Sequence, residues 1–289
     1  MEKLAIIVSG KNGQLGNELQ DASVLFPQFH YYFFGKDELD ICSKNALEKI
    51  FAKYKPAYFI NTAAYTAVDK AETDQETAYL TNAEAVSTIA KTCRRYNTAF
   101  IHLSTDYVFD GNNKQPYKEN DLTNPVNYYG YSKWMGEQLA LENNPQTIVI
   151  RASWVYSVYG HNFVKTMLRL MKERSTLNVV SDQLGSPTYA KDLSEAILQI
   201  INKVNATKIF RPGIYHFSND GVISWHDFAT AIRDIKKLNC SVQPITTAQY
   251  PTPAKRPFYS VLDKEKIQSS FGITLKNWRK RLEECLEKL

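Results

Sequence analysis

The sequence predicts an α/β fold built on a doubly wound parallel sheet. Three observations carry that expectation. Short apolar runs alternate with helical patterns through the first half of the chain, a glycine-rich loop follows the first run directly, and hydroxyl residues stand behind the fourth.

Residues 4–9 (LAIIVS) form the first strand, and GKNGQLG follows at once. Gly10, Gly13 and Gly16 allow a tight turn. They also let backbone N–H groups approach a pyrophosphate at the start of a helix from about Gln14 to Leu25. The spacing is G-x-x-G-x-x-G, so its position between strand and helix carries the signal. Lys11, Asn12, Gln14 and Leu15 complete this candidate cofactor loop, Lys11 being suited to phosphate or standing as a solvated loop lysine.

A second strand, 29–34 (FHYYFF), leads into GKDELDI. An acid at the end of this strand normally grips the ribose 2′-hydroxyl of NAD. Here Lys36 comes first and favours the 2′-phosphate of NADPH, while Asp37 leaves NADH open. Asp40 and Ile41 fit around an adenine, with Ile41 equally readable as core. The third strand, 57–61 (AYFIN), ends in NTAAYTAVD, whose small Ala63 and Ala64, followed by Tyr65, let a cofactor lie against the backbone. A helix from about Gln75 to Tyr96 carries Leu80, Ala83, Val86 and Ala90 at core spacing, and Asn82 reads as a bend or hydrogen-bonding residue.

The fourth strand, 98–103 (TAFIHL), puts Ser104 and Thr105 at its carboxyl end, the edge where open parallel sheets bind ligands. This alternation argues for a Rossmann-like sheet. Tyr129 and Lys133 then stand four apart in a helical segment, on one face and about 5–6 Å apart at Cβ. A tyrosine pKa of about 10 is roughly three units too high for proton exchange at neutrality. One lysine charge supplies about 4 kcal/mol at an effective dielectric of about 20, so Lys133 is expected to make Tyr129 a general acid. The chain has 18 tyrosines, so the pair gains weight only from what precedes it. A fifth strand, 147–151 (TIVIR), runs into Trp154, which suits stacking on a sugar ring or anchoring in a core.

Alternation then loosens. A helix is expected over about Asn162–Lys172, a short strand at Leu177–Val180, a turn at Gly185–Pro187, a helix over Asp192–Asn202 and a strand at Gly213–Phe217. Ser224 caps a helix beginning Trp225-His226-Asp227. The proline-rich Tyr250–Pro257 forms a rigid loop whose Arg256 suits a bidentate phosphate contact, and Thr274–Leu289 closes the chain as a helix. The reading is a dinucleotide-binding domain from residues 1–155 and 186–218, interleaved with a smaller C-terminal substrate domain from 156–185 and 219–289.

Composition excludes several classes. Hydrophobic residues make up 44% of the 289 and charged residues 22%, with a net charge of +5 and no block of like charge, so no nucleic-acid surface is expected. Cys42, Cys93, Cys240 and Cys285 show no paired spacing, and the histidines no metal spacing, so neither disulfides nor a metal are expected. No apolar run suits a membrane span or signal peptide, and no G-x-S-x-G elbow is present. A cytoplasmic protein is expected.

GKNGQLG, NTAAYTAVDKAE, STDYVFDG, YGYSK, RASWVY, DQLGSPT, SWHDFA and YPTPAKRP share the order and spacing of one family. Over nearly its whole length the chain resembles the extended short-chain dehydrogenase/reductases, and more narrowly their dTDP-4-dehydrorhamnose reductase branch. The resemblance implies reduction of the C4 ketone of dTDP-4-dehydro-β-L-rhamnose to dTDP-L-rhamnose by NADPH, with NADH as an alternative, supplying cell-surface polysaccharide synthesis. It implies Thr105, Tyr129 and Lys133 as the catalytic set, with Gly10, Gly13, Gly16, Ala63, Ala64, Asp40 and Ile41 around the cofactor. Trp154 falls against the deoxysugar, Asp106 and Tyr107 on the substrate side, and Arg256 near the nucleotide phosphates. The partner implied is a dTDP-linked 4-keto-6-deoxysugar, with a homodimer left open. Glu18 matches a position at which some relatives hold magnesium at a dimer contact, and one glutamate predicts no metal here. Rival readings are a nucleotide-sugar epimerase or 4,6-dehydratase, which Tyr107 in place of a glutamate disfavours, and a non-catalytic subunit resembling the methionine adenosyltransferase β subunit. Intact Thr105, Tyr129 and Lys133 favour an enzyme.

Overall fold

The computed structural model describes residues 3–289. Its strands are β1 (Leu4–Ser9), β2 (Phe29–Phe34), β3 (Tyr58–Asn61), β4 (Ala99–Thr105), β5 (Thr147–Ala152), β6 (Val155–Tyr156), β7 (Thr176–Val180), β8 (Leu184–Gly185), β9 (Thr188–Tyr189), β10 (Gly213–Phe217), β11 (Ile223–Ser224) and β12 (Ser241–Ile245). The α-helices are α1 (Gln14–Ser23), α2 (Lys44–Tyr54), α3 (Gln75–Tyr79), α4 (Ala85–Arg95), α5 (Tyr128–Asn143), α6 (Phe163–Glu173), α7 (Ala190–Thr207), α8 (Trp225–Ile235), α9 (Glu265–Phe271) and α10 (Trp278–Glu287).

Six strands form one sheet in the order β10-β5-β4-β3-β1-β2, and every neighbouring pair is parallel. Such a sheet is covered on both faces, which is why its strands read as continuous apolar runs. Ile6, Val8, Ile60, Ile101 and Ile150 pack under α1 and α7, while Ile7, Phe59 and Phe100 pack under α2, α4 and α5. Each side chain so buried contributes about 1.5–3 kcal/mol. The chain reverses its direction of growth between β1 and β3, so a crevice opens beyond their carboxyl ends. A further apolar cluster joins α6, α8 and α10 to the small parallel pair β7–β12.

Several elements differ from expectation. The predicted Gln75–Tyr96 helix is broken by a π turn at Leu80–Glu84. The extra residue shifts the helical phase, leaving Leu80 41% exposed instead of core. Ile41 is buried in the core under α2. β12 and α9 had no counterpart in the sequence reading, and the closing helix starts later, behind the Asn277 cap.

One interaction ties the catalytic-motif helix to the sheet. Arg151 of β5 donates to Glu137 of α5 through Nε at 2.9 Å and Nη2 at 2.7 Å, with both side chains at most 1% exposed. Removing one partner of such a pair strands a buried charge. Arg151→Met should therefore destabilise folding by about 3–5 kcal/mol, and adding Glu137→Leu should recover most of it. Denaturant unfolding of the single and double variants checks this, and equal loss in both would refute it.

Candidate active site

A cavity of about 670 Å³ opens at the carboxyl edge of the sheet, exactly the side to which β1, β3, β4 and β5 deliver their last residues. Its lining brings together Gly13, Gln14 and Leu15, the Ala63 and Ala64 loop, Thr105, Tyr129 and Lys133, and the aromatic Tyr107, Trp154 and Trp225.

The glycine loop is shaped to admit a ligand. Gly10 holds φ at +84°, and a Cβ there would meet Thr62 Oγ1 at 2.6 Å and the Ala63 amide at 2.7 Å. Gly16 lets α1 close onto the Gly10 carbonyl. Gly13 caps α1 without any side-chain hydrogen bond, so the first amides of the helix are available to an anion. Lys11 and Asn12 sit above the end of β2, while Lys36 and Asp40 are exposed, with Asp40 accepting from the Cys42 amide at 3.0 Å.

Asn127 begins α5 by accepting from the Gly130 amide at 2.7 Å, and this sets Tyr129 and Lys133 in the first turns. Lys133 is 3% exposed and donates to the Leu103 carbonyl at 2.6 Å. Thr105, the last residue of β4, accepts from the Tyr107 amide at 3.2 Å and donates to Asp106 Oδ1 at 3.1 Å. Ser104 Oγ, also buried, has no hydrogen-bond partner among the described residues.

Ionisation departs from the sequence expectation. Burial pushes the Tyr129 phenol up to about 12, against a smaller downward pull from the Thr105 hydroxyl and an upward push from Asp106. Burial brings Lys133 down to about 8, with Glu137 opposing. Desolvation sets the direction of the phenol's shift, and Lys133 is not among its causes. Asp106, 2% exposed, is raised to about 6 by burial, against hydrogen bonds from Ser260 and Thr105.

On the far wall, Trp154 stacks face to face on Trp225, with centroids 3.6 Å apart at 10°. Gly185 covers its other face, where a Cβ would lie 2.5 Å from Cε2. Trp154 nevertheless remains part of the cavity lining. Arg256 pairs bidentately with Asp69, at 3.0 and 2.7 Å, beyond the residues lining the cavity. Asn127 Nδ2 donates to the Lys255 carbonyl at 2.7 Å, so the proline-rich loop is fastened to the start of α5. Glu18 is buried and accepts from Ser157 Oγ at 2.5 Å.

Two residues were undervalued. Asn82, aimed by the π turn, accepts from the Tyr65 amide at 2.9 Å and donates to the Tyr65 carbonyl and Ser132 Oγ at 3.0 Å each. It clamps the Ala63–Tyr65 loop to α5. Trp225 was visible only as the residue after a helix cap.

A profile described as the RmlD substrate binding domain matches residues 4–289. A dTDP-4-dehydrorhamnose reductase from Aggregatibacter actinomycetemcomitans is 44% identical, covering 96% of each chain. The crystal structure of a dTDP-4-dehydrorhamnose reductase from Bacillus anthracis in complex with NADP superposes with a TM-score of 0.93, at 36% identity and full coverage of both chains. That from Clostridium acetobutylicum also gives 0.93, at 37% identity over 98% of this chain and 99% of the other. On this breadth of identity and shared fold, the chain belongs to the dTDP-4-dehydrorhamnose reductase family.

Proposed function

We propose that this chain reduces the C4 ketone of dTDP-4-dehydro-β-L-rhamnose to the alcohol of dTDP-L-rhamnose. The observation that carries this is one cavity joining an uncapped, glycine-lined helix start to Thr105, Tyr129 and Lys133. The donor set suits a dinucleotide: small residues at Ala63 and Ala64, free amides at the start of α1, and a lysine in the cavity lining. NADPH bound there supplies the hydride.

The chain's own part is proton supply and electrostatics. Tyr129 donates its phenolic proton to the C4 oxygen as charge develops on it. With a pKa of about 12 the phenol stays protonated across the neutral range, and it is still a stronger acid than the alcohol it creates. Thr105 donates a hydrogen bond to the same oxygen, a preorganised contact needing no rearrangement during reaction. Lys133 holds cofactor ribose hydroxyls, and its pKa of about 8 lets it exchange protons near neutrality. Asp106, Tyr107 and Trp154 shape the sugar end, and Arg256 reaches the nucleotide phosphates only by giving up its bidentate contact with Asp69. The domain division given above follows from the same reading, with residues 213–217 returning to the nucleotide-binding sheet. No helix among the described residues is long and apolar enough to cross a membrane. Free thiols and a nicotinamide cofactor suit a cytoplasmic reaction.

Tyr129→Phe should lower kcat by about 10²–10⁴. Steady-state oxidation of NADPH in the presence of dTDP-4-keto-L-rhamnose checks both the residue and the reaction. An epimerase or dehydratase would show no net consumption, and undiminished turnover would remove Tyr129 from its role.

Asp106 adds a pH signature. Its pKa of about 6 lies above its ordinary value of 3.8, so the folded chain holds the proton more tightly than the unfolded one. Stability is therefore lost as pH rises through this window, by about 3 kcal/mol once both forms are ionised. Asp106→Asn should be more stable than the parent at about pH 7 and lose that advantage towards about pH 4. Unfolding free energies that differ equally at both pH values would contradict it.

A further inference from the structure

The Thr105 hydroxyl has more neighbours than it can serve at once. It carries one proton and two lone pairs. The Tyr107 amide takes one lone pair at 3.2 Å, and Asp106 Oδ1 lies 3.1 Å away. The Tyr129 phenol faces the same oxygen from α5. Thr105 and Asp106 are both buried, and both line the cavity. Ser260 faces the Asp106 carboxyl from the segment before α9, and Oδ2 has no hydrogen-bond partner among the described residues. An ionised carboxylate would leave that oxygen as unpaired buried charge. A protonated carboxyl, with its proton on Oδ1, leaves only a carbonyl there, at much lower cost.

The two forms of the carboxyl make opposite demands on Thr105. Ionised, Asp106 can only accept, so it takes the single hydroxyl proton and leaves Thr105 nothing to donate. Protonated, it donates to the second lone pair, and the Thr105 proton is free to point into the cavity. We propose that Asp106 is a positioning residue whose proton sets the direction of the Thr105 hydroxyl, turning it towards the C4 oxygen when the carboxyl is neutral and away when it is ionised. No bond of Asp106 breaks in turnover: the hydride comes from NADPH and the proton from Tyr129. The inference rests on the reductase reading above and deepens it. The groups facing Asp106 leave it to titrate by itself near neutrality. Tyr129 on α5, at about 12, and Tyr107 on the same turn, raised by burial, both stay protonated. Ser260 carries no charge, and the paired Arg256 and Asp69 lie on the Tyr107 side. Lys133, at about 8, titrates above the carboxyl's value of about 6.

The test is the pH profile of kcat for NADPH oxidation with dTDP-4-keto-L-rhamnose, between about pH 5.5 and about pH 7.5, against an enzyme-free control. Melting temperatures confirm that each variant is folded. The parent should lose about twentyfold in kcat across this window with little change in KM, because the Thr105 contact strengthens only as charge develops on the C4 oxygen. Asp106→Asn keeps an N–H that can donate to Thr105, so its profile should be flat within about twofold. Thr105→Val should be slower than the parent at the acid end by about 10²–10³ and equally flat, since no hydroxyl is left to turn. Adding Asp106→Asn to Thr105→Val should cost less than about twofold more, as two residues acting through one hydrogen bond require. Parallel profiles for the parent and Asp106→Asn, or a Thr105→Val profile that still falls as the parent's does, overturn the inference while leaving the reductase reading in place. If the parent oxidises no NADPH with this ketone, both fall together.

Discussion

The position of the Tyr129–Lys133 helix depends on an ion pair sealed from water. Glu137 lies one turn beyond Lys133 on α5, and Arg151 stands on β5, so the bidentate contact locks helix to sheet in one register. The guanidinium also lies 5.0 Å from the Phe109 ring centroid, in the segment that follows Thr105, and 3.4 Å from His216 Nε2 on β10. Burial, then the Arg151 charge, pushes His216 down to about 3, so it is neutral. Its Nδ1 faces the Tyr117 and Asp263 carbonyls at 3.1 and 3.2 Å, which assigns the proton to Nδ1 and leaves Nε2 to accept from Arg151. A buried pair of this kind adds little net stability, because desolvation offsets the Coulombic gain. Its consequence is geometric, joining α5, the Thr105 segment and β10 at one point.

That point also explains the charge state of the site. Lys133 bonds to the Leu103 carbonyl of β4 and feels the Glu137 carboxylate on its own helix. His102 is held well below its ordinary pKa by burial and by Lys133, so it adds no positive charge. The cavity therefore brings together a protonated phenol, an ammonium whose pKa is lowered to about 8 and a carboxyl raised to about 6. Desolvation sets all three shifts, and pairwise charges only trim them.

The sheet was legible because a parallel strand buried on both faces reads as a nearly continuous apolar run, as Leu4–Val8 and Ile148–Ile150 do. The glycine loop and the Tyr129/Lys133 spacing were legible for a similar reason: local geometry confines them to one place in the fold. What escaped was set by long-range placement. No local pattern reveals the π turn that aims Asn82, since a continuous helix satisfies the same spacing. The direction of the Tyr129 shift escaped because a spacing argument counts the lysine's charge and omits the water removed from around the phenol.

Trp154 shows how far placement can override residue preference. Its φ of +49° lies in the left-handed region, which for a bulky residue costs about 1–2 kcal/mol. The surrounding contacts determine it from three sides. Its carbonyl accepts from the Thr188 amide at 3.2 Å, Trp225 covers one indole face, and Gly185 closes on the other. An aromatic stack is worth about 0.5–1.5 kcal/mol beyond the area it buries, enough to offset most of the strain. The indole thus meets the cavity along an edge and cannot swing to follow a ligand. Placement, not residue preference, fixes this part of the cavity wall.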